Sequence, residues 1–395
     1  MSTAALWRLP EQEGVAEVLR AAAVAGQVSH AWAFLGPPGV GQREAGRALA
    51  AALNCAVEPG GCGACDVCHR CVRGAFPSLW EFAPVGAAHR VADVREQWLP
   101  AASHSAMEGD WKVLHVADAD RLNEAAANAF LKGLEEPPPR TVWLLDVADP
   151  GELPDTIVSR CRVLRFSPWG LEALRAEAAR LGIAEADREL AARLGQGSPR
   201  ALGRFAAGGL DDVRRHRDLL RRLREEGQGV ALLAAREADD EAKRRIAAQK
   251  AAGKDELAGL GELYGDAVPR HVVKQVEERL VREERESRAA ALQAVLDDLL
   301  SWVRDALLAG AAPQSAAGLL HVDAVDALRA DAAALGPAKL LRAGDLLVRA
   351  KEDLELNLQQ GLALEALFLD LAALTLPSSS ARPVPGERRA GARLR

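Results

Sequence analysis

Five of the six cysteines in this 395-residue sequence lie within one short segment. Their pattern is Cys55-x6-Cys62-x2-Cys65-x2-Cys68-x2-Cys71. Closely spaced Cys-x2-Cys pairs let thiolates converge tetrahedrally on Zn²⁺, and disulfides are disfavoured in the cytosol, where we expect this chain. Four thiolates leave no coordination position for water, so the expected role is structural. An iron–sulfur cluster is the competing interpretation, and it would colour the purified protein brown.

A second segment has the spacing of a phosphate-binding loop. Gly36-Pro37-Pro38-Gly39-Val40-Gly41 follows an apolar run and precedes a helical pattern, as in the G-x-x-x-x-G of a P-loop. The next two residues should be Lys, which contacts the β and γ phosphates, and Ser or Thr, which holds Mg²⁺. Here they are Gln42 and Arg43, a neutral amide and a cation. We expect a degenerate loop that does not bind ATP productively, formed by Gly36, Gly39, Gly41, Gln42 and Arg43.

The acidic motif of an ATP-hydrolysing site is also altered. Such a site would end its third strand with a magnesium-binding Asp followed by a catalytic Glu. The sequence Val113-Leu114-His115-Val116-Ala117-Asp118 offers Ala117 and Asp118 at these positions. We therefore expect the strand and loop framework of a nucleotide-binding fold, without intrinsic ATPase activity.

Short apolar runs alternate with helical patterns over the first 170 residues, which is typical of a parallel sheet flanked by helices. The candidate strands are Ala31–Leu35, Leu79–Ala83, Lys112–Ala117, Thr141–Val147 and Val163–Phe166. The candidate helices between them are Gly41–Leu53, Val91–His104, Asn123–Glu136 and Leu153–Val158.

The rest of the sequence is predicted to be helical. Three short amphipathic helices are expected at 171–181, 188–194 and 200–205, and long helices follow residue 211. We interpret the densely charged stretches 237–254 and 276–288 as solvated helix faces or an insertion. After residue 376, a Pro- and Ser-rich tail carries five Arg against one Glu and is expected to be disordered.

Composition excludes several classes of protein. The formal net charge is −6, which argues against a protein that coats nucleic acid through a broad basic surface, including a stand-alone zinc nucleic-acid-binding protein. No apolar stretch approaches the roughly 20 residues that a membrane span requires, and the N-terminus lacks a secretion signal. We expect a cytoplasmic protein with no membrane partner.

The order of these motifs closely resembles the bacterial clamp-loader AAA+ subunits. Besides the degenerate loop and the cysteines, the resemblance rests on three segments: Val-Ala-Asp-Ala-Asp-Arg-Leu at 116–122, Asn-Ala-Phe-Leu-Lys-Gly-Leu-Glu-Glu-Pro-Pro at 128–138, and Ser-Arg-Cys at 159–161. It extends from about residue 30 to residue 205. It implies a zinc module within about 55–71, with Cys55, Cys62, Cys65 and Cys68 as ligands. Because the first gap is only six residues, Cys71 remains an alternative to Cys55, and His69 is a weaker one.

The resemblance also implies a role for one arginine. Arg160 occupies the family's Ser-Arg-Cys motif, at the edge where one subunit meets its neighbour's nucleotide site, and is expected to act as an arginine finger in trans. The alternative is a surface arginine paired with a carboxylate. Cys161 is expected to be buried packing. Arg200 matches the lid position that senses nucleotide in active relatives, and we expect it to cap or pair locally instead.

The motifs and the resemblance together imply an α/β AAA+ module at 1–168, a helical lid at 169–209, an all-α collar domain at 210–376 and a disordered tail at 377–395. The expected function is that of the non-hydrolysing, delta-prime-type subunit within the DNA polymerase III holoenzyme, which is itself a nucleotidyltransferase. The implied partners are the tau/gamma ATPase subunit, the delta subunit, the sliding clamp and primer-template DNA, all reached through the complex in the nucleoid-associated replisome. The alternative is an ATP-hydrolysing subunit of the tau/gamma type.

Overall fold

The computed structural model describes residues 3–84, 88–149, 151, 153–264, 270–316, 318–355 and 360–375. The predicted tail at 377–395 lies outside the described residues. None of the described helices combines the length and the apolar character needed to cross a membrane.

Five parallel strands form one sheet in the order β2-β3-β4-β1-β5. The strands are β1 Ala31–Leu35, β2 Leu79–Phe82, β3 Lys112–Val116, β4 Thr141–Val147 and β5 Arg162–Arg165. All five were predicted from the sequence: β1 and β4 have the predicted bounds, and the ends of the others differ by one residue. The predicted fold class, a parallel sheet with flanking helices followed by helical domains, is confirmed.

Helices connect and cover these strands. They are α1 Thr3–Leu6, α2 Glu13–Val24, α3 Gln42–Asn54, α4 Asp66–Val72, α5 Val91–Asp93, α6 Leu99–Ser103, α7 Glu124–Glu135 and α8 Asp155–Val158. A wider helical turn, Val94–Trp98, joins α5 to α6, so the region predicted as one helix is nearly continuous. The sequence prediction did not include α1, α2 or α4. In α2, the buried Val15 and Leu19 are four residues apart, a helical spacing that could have revealed it.

Both faces of the central strands β1, β3 and β4 are buried, which explains why these strands are almost continuous apolar runs. On one face, Phe34 and Leu144 pack in the apolar cluster that includes α2 and α3. On the other face, Leu145 packs in the cluster that includes Phe130 of α7. Since the sheet holds the ends of β1 and β3 rigidly, it fixes the loops that follow those strands.

The remaining helices are α9 Leu171–Arg180, α10 Glu185–Leu194, α11 Pro199–Arg204, α12 Leu210–Glu226, α13 Gln228–Tyr264, α14 Arg270–Ala311, α15 Val325–Glu355 and α16 Gln360–Thr375. The charged stretches 237–254 and 276–288 are helical, as predicted, within α13 and α14. Helix α15 bends at Gly336, whose φ is +71° and which precedes Pro337.

Buried polar contacts join α9–α11 to the long C-terminal helices. Asp298 of α14 is only 4% exposed and accepts hydrogen bonds from Arg204 at 2.7 Å and from His216 at 2.8 Å. Arg193 donates to the carbonyl of Leu319 at 3.0 Å, and Leu320 is buried within the apolar cluster of the short helices. A buried carboxylate is costly unless it is paired in this way, so Asp298 fixes the two groups of helices against each other.

One ion pair fastens α3 to the sheet and to α4. Arg47 of α3 donates to Glu81 of β2 from Nε at 2.7 Å and from Nη2 at 2.8 Å, and its Nη1 donates to the carbonyl of Val72 at 3.1 Å. Burial by itself would raise the pKa of Glu81, but the hydrogen bonds and charge of Arg47 outweigh it and lower that pKa to about 2. Arg47 thus connects the helix after the phosphate loop to the cysteine segment.

This ion pair predicts a stability profile with pH. Because the folded-state pKa of Glu81 is depressed, its contribution is present above the ordinary carboxyl pKa and is lost as pH falls from about 4.5 toward 2. We expect Glu81→Gln to lower the free energy of unfolding at pH 7 by up to about 3 kcal/mol, and to flatten the pH dependence in that window. Denaturant unfolding of both proteins between pH 3 and pH 7 measures this, and equal slopes for the two would contradict it.

Candidate phosphate loop and metal centre

The loop that the sequence predicts to be a degenerate phosphate loop lies between β1 and α3 and packs closely on the residues around it. A side chain at Gly36 would bring its Cβ within 2.3 Å of the carbonyl oxygen of Phe166. Gly39 has a φ of +79°, and a Cβ there would lie 2.7 Å from Cβ of Arg200. Glycine is therefore required at both positions because neighbouring segments approach closely. At Gly39 the positive φ requires it as well.

Gln42 occupies the position of the P-loop lysine, and its side chain bonds to the loop itself. Only 3% of Gln42 is exposed. Its Oε1 accepts a hydrogen bond from the N–H of Val40 at 3.0 Å, and its Nε2 donates to the carbonyl of Pro37 at 2.7 Å. In a working P-loop the backbone N–H groups point at phosphate oxygens. Here the N–H of Val40 already has a partner within the chain.

Residues after β5 cover the loop from the other side. The hydroxyl of Ser198 lies 3.2 Å from the carbonyl oxygen of Pro38 and 3.3 Å from that of Gly39, and can donate its proton to either. The indole Nε1 of Trp169 donates to the carbonyl of Val40 at 3.1 Å. The loop is thus held by side chains of this chain through contacts that need no nucleotide.

The magnesium and base positions are likewise altered. The magnesium position on α3 is taken by the half-buried Arg43, whose positive charge contributes to lowering the pKa of Glu81. The methyl side chain of Ala117 cannot ligate a metal, and the carbonyl of Ala117 lies 2.8 Å from Nε2 of His89. Asp118 has left-handed backbone angles, and burial raises the pKa of its carboxyl group despite the nearby Arg121.

The structure gathers the four predicted zinc ligands into one cluster. Cys55 follows α3, Cys62 and Cys65 lie in the loop before α4, and Cys68 is buried on α4. Their four Sγ atoms all lie within 4.8 Å of one another. The cluster is compatible with a bound zinc ion.

The sulfur geometry supports that fit. Sγ of Cys55 lies 3.8 Å from Sγ of Cys65, and Sγ of Cys62 lies 4.0 Å from that of Cys68. Tetrahedral binding at a Zn–S distance of about 2.3 Å requires sulfur separations of about 3.8 Å. The N–H groups of Ala64 and Cys65 lie 3.4 and 3.3 Å from Sγ of Cys62 and lower the pKa of that thiol to about 6. Such donors favour the thiolate form, which is the form that binds metal.

The alternative ligands lie elsewhere. Cys71 is buried in the apolar cluster beneath α3, where burial raises the pKa of its thiol well above its usual range. His69 is half-buried on α4 and does not belong to the four-residue cluster. Cys161 packs against the apolar cluster on the α7 side of the sheet, and burial raises its pKa to about 12. Of the alternatives left open by the sequence, the geometry favours Cys55 over Cys71.

Arg160 lies just after α8, on the surface of the sheet domain. Its side chain is 36% exposed. Nη2 donates to Oε1 of Glu135 at 2.6 Å, and Nη1 donates to the carbonyl of Thr156 at 2.7 Å. The arginine is accessible and held in one orientation, a combination that fits either of the two roles considered from the sequence. Arg200 is exposed and lies against Gly39 of the phosphate loop.

Some contacts that decide the state of this site had not been predicted. Ser198 and Trp169 cap the loop from more than a hundred residues away in sequence. The sequence predicts that the neutral Gln42 cannot neutralise phosphate, but it does not predict the hydrogen bonds between Gln42 and the loop. Residue type alone carried no signal for these contacts, since Ser, Trp and Gln have many possible partners.

A parallel sheet with a phosphate-type loop after its first strand, followed by a small group of helices, is the arrangement that the resemblance to AAA+ proteins led us to expect. Residues 11–170 match a family model described as "DNA polymerase III, delta subunit". The matched part of the chain, its sheet domain, is therefore similar to clamp-loader subunits of DNA polymerase III.

Several relatives carry different subunit names. The chain is 36% identical over 168 residues to DNA polymerase III subunit tau of Escherichia coli, a match that covers 42% of this chain and 26% of that one. It is 29% identical over 387 residues to subunit gamma/tau of Mycobacterium tuberculosis, covering 93% and 60%. It is 36% identical over 143 residues to subunit delta' of Haemophilus influenzae, covering 35% and 42%. The chain therefore spans between about a quarter and three fifths of these relatives.

The cysteine cluster predicts the metal content of the protein. We expect elemental analysis to find about one zinc per chain, and Cys65→Ser to abolish it because three thiolates bind zinc more weakly than four. Cys161→Ser is the matched control, since this thiol lies outside the cluster, and it should retain the zinc. A colourless protein without zinc, or a Cys65→Ser variant with full zinc content, would refute the assignment.

Proposed function

We propose that this chain is the non-hydrolysing, delta-prime-type subunit of the DNA polymerase III clamp loader. In this proposal it binds no ATP productively, holds its own lid closed on the sheet domain, and supplies Arg160 to the ATP site of a neighbouring ATPase subunit. Its partners are the tau/gamma ATPase subunit, the delta subunit, the sliding clamp and primer-template DNA within the complex, in the cytoplasm at the replisome.

The observation that carries the proposal is the hydrogen bonding of Gln42. Its side-chain amide accepts a hydrogen bond from the N–H of Val40 and donates one to the carbonyl of Pro37. Gln42 therefore stabilises the loop itself and does not contact phosphate. A nucleotide phosphate would have to displace these two hydrogen bonds, and no lysine ammonium group would then bind it. The cation Arg43 and the methyl group of Ala117 remove the magnesium site as well.

The same contacts support a rigid arrangement of the predicted domains. We retain the division into 1–168, 169–209 and 210–376 as part of the proposal, because separate apolar clusters lie in the sheet domain, the lid and the C-terminal helices. Ser198 and Trp169 join the lid to the loop, and Asp298 joins it to the collar. A subunit held in this way can act as a fixed support while its neighbours change with ATP.

The zinc site has a structural role in this proposal. Cys55, Cys62, Cys65 and Cys68 would hold the ion with no ligand position left for water. The ion would fix the loop between α3 and α4, a segment of Gly and small residues without an apolar core of its own. Arg47, through the carbonyl of Val72, ties this module to α3 and β2.

One observation favours a second candidate, an ATP-hydrolysing subunit of the tau/gamma type. The relative that matches 93% of this chain is named gamma/tau, whereas the delta' relative matches 35%. The cysteine cluster does not separate the two candidates. The chemistry of the loop does, because hydrolysis needs the lysine and the magnesium ligand that this chain lacks.

Nucleotide binding by the isolated chain distinguishes these candidates. We expect isothermal titration with ATP and Mg²⁺ to detect no binding tighter than about 1 mM, since the Val40 N–H is occupied and position 42 carries no charge. The ATPase subunit from the same organism serves as the positive control. Tight, magnesium-dependent binding would overturn the proposal in favour of the tau/gamma type.

The arginine finger is tested in the assembled loader. We expect Arg160→Ala to lower ATP turnover stimulated by clamp and DNA several-fold. A finger supplied in trans is worth about 10³–10⁵ at the site it serves, and other sites in the ring continue to turn over. Exposed Arg162→Ala, two residues along the chain, is the matched control. Unchanged turnover in the Arg160→Ala loader would refute the finger role.

A further inference from the structure

The side chain of Arg160 is hydrogen-bonded to two elements of its own chain. Its Nη2 reaches the carboxylate of Glu135 at the end of α7, and its Nη1 reaches the carbonyl of Thr156 on α8. Long arginine side chains on a surface ordinarily sample many rotamers. These two hydrogen bonds hold the guanidinium in one orientation against α7 and α8, with 36% of the side chain exposed.

The two hydrogen bonds leave most of the N–H donors of the guanidinium available. An arginine side chain has five N–H donors, and the two contacts with Glu135 and Thr156 use two of them. Three donors remain for the oxygens of a phosphate. Glu135 therefore does not need to release Arg160 before the guanidinium binds an anion, so its effect is orientation rather than blockade.

Glu135 stands where helix stability disfavours a carboxylate. It is the last residue of α7, at the negative end of the helix dipole, and Glu136 follows it directly. An exposed ion pair contributes little to folding, so pairing with Arg160 does not explain the residue as a stabilising element. The exposed Glu136 has the same charge at the neighbouring position, but the carboxylate that binds Arg160 is that of Glu135.

We propose that Glu135 is a positioning residue for the arginine finger. This inference rests on the proposed function, because it assumes that Arg160 acts on a neighbour's ATP. By holding the partly exposed guanidinium in one orientation before the reaction begins, Glu135 reduces the ordering that Arg160 must undergo when it binds the transferring phosphoryl group. It acts through Arg160 and does not contact the nucleotide.

The experiment compares four loaders reconstituted with the full chain: Glu135→Ala, Glu136→Ala, Arg160→Ala, and the double variant Glu135→Ala/Arg160→Ala. We expect Glu135→Ala to lower kcat for stimulated ATP turnover by about two- to fivefold, the range that corresponds to an exposed ion pair. The loss should be smaller than that caused by Arg160→Ala, and KM for ATP should not change. Glu136→Ala should behave as the wild type.

The double variant separates positioning from general damage. If Glu135 acts only through Arg160, adding Glu135→Ala to Arg160→Ala has no further effect on kcat. Equal further losses in both backgrounds would refute positioning and indicate a structural defect, which thermal unfolding of the isolated chains would detect. Wild-type kcat for Glu135→Ala together with a strong Arg160→Ala defect would overturn this inference alone. Wild-type kcat for Arg160→Ala would overturn the finger role in the proposed function as well as this inference.

Discussion

The hydrogen bonding of the loop between β1 and α3 is the constraint on which the structure depends. A phosphate loop presents several backbone groups to a ligand, and groups that are buried without a partner are costly. In this chain Gln42 accepts a hydrogen bond from the N–H of Val40, while Ser198 and Trp169 donate to carbonyls of the loop. The loop can therefore keep its fold without a nucleotide, and the lid is closed on it by the same bonds.

This arrangement connects the separate parts of the molecule. The lid is attached at one end to the loop and at the other to the C-terminal helices, where Asp298 joins Arg204 and His216. On the far side of α3, Arg47 ties the helix to Glu81 and to the end of the cysteine module.

Much of the fold was predictable from the sequence. Apolar runs located the central strands β1, β3 and β4 because both of their faces are buried. The edge strand β5, which is mostly exposed, was located from its two apolar residues alone. The helix α4 was missed, since a seven-residue segment with three polar or charged positions and two cysteines carries little apolar periodicity. The ligand set was narrowed to four or five cysteines but not fixed, because spacing permits both Cys55 and Cys71, and only their positions in space separate them.

The sequence by itself determined what this site lacks: a lysine at position 42, a hydroxyl at position 43 and a carboxylate at position 117. These absences follow from residue type and need no coordinates. The tertiary structure decided what replaces them. Trp169 and Ser198 donate to the loop carbonyls. Arg160 pairs with Glu135, which lies 25 residues earlier in the chain. Such pairs form because packing of the sheet, lid and helices brings distant side chains within hydrogen-bonding distance, and local sequence carries no record of that proximity.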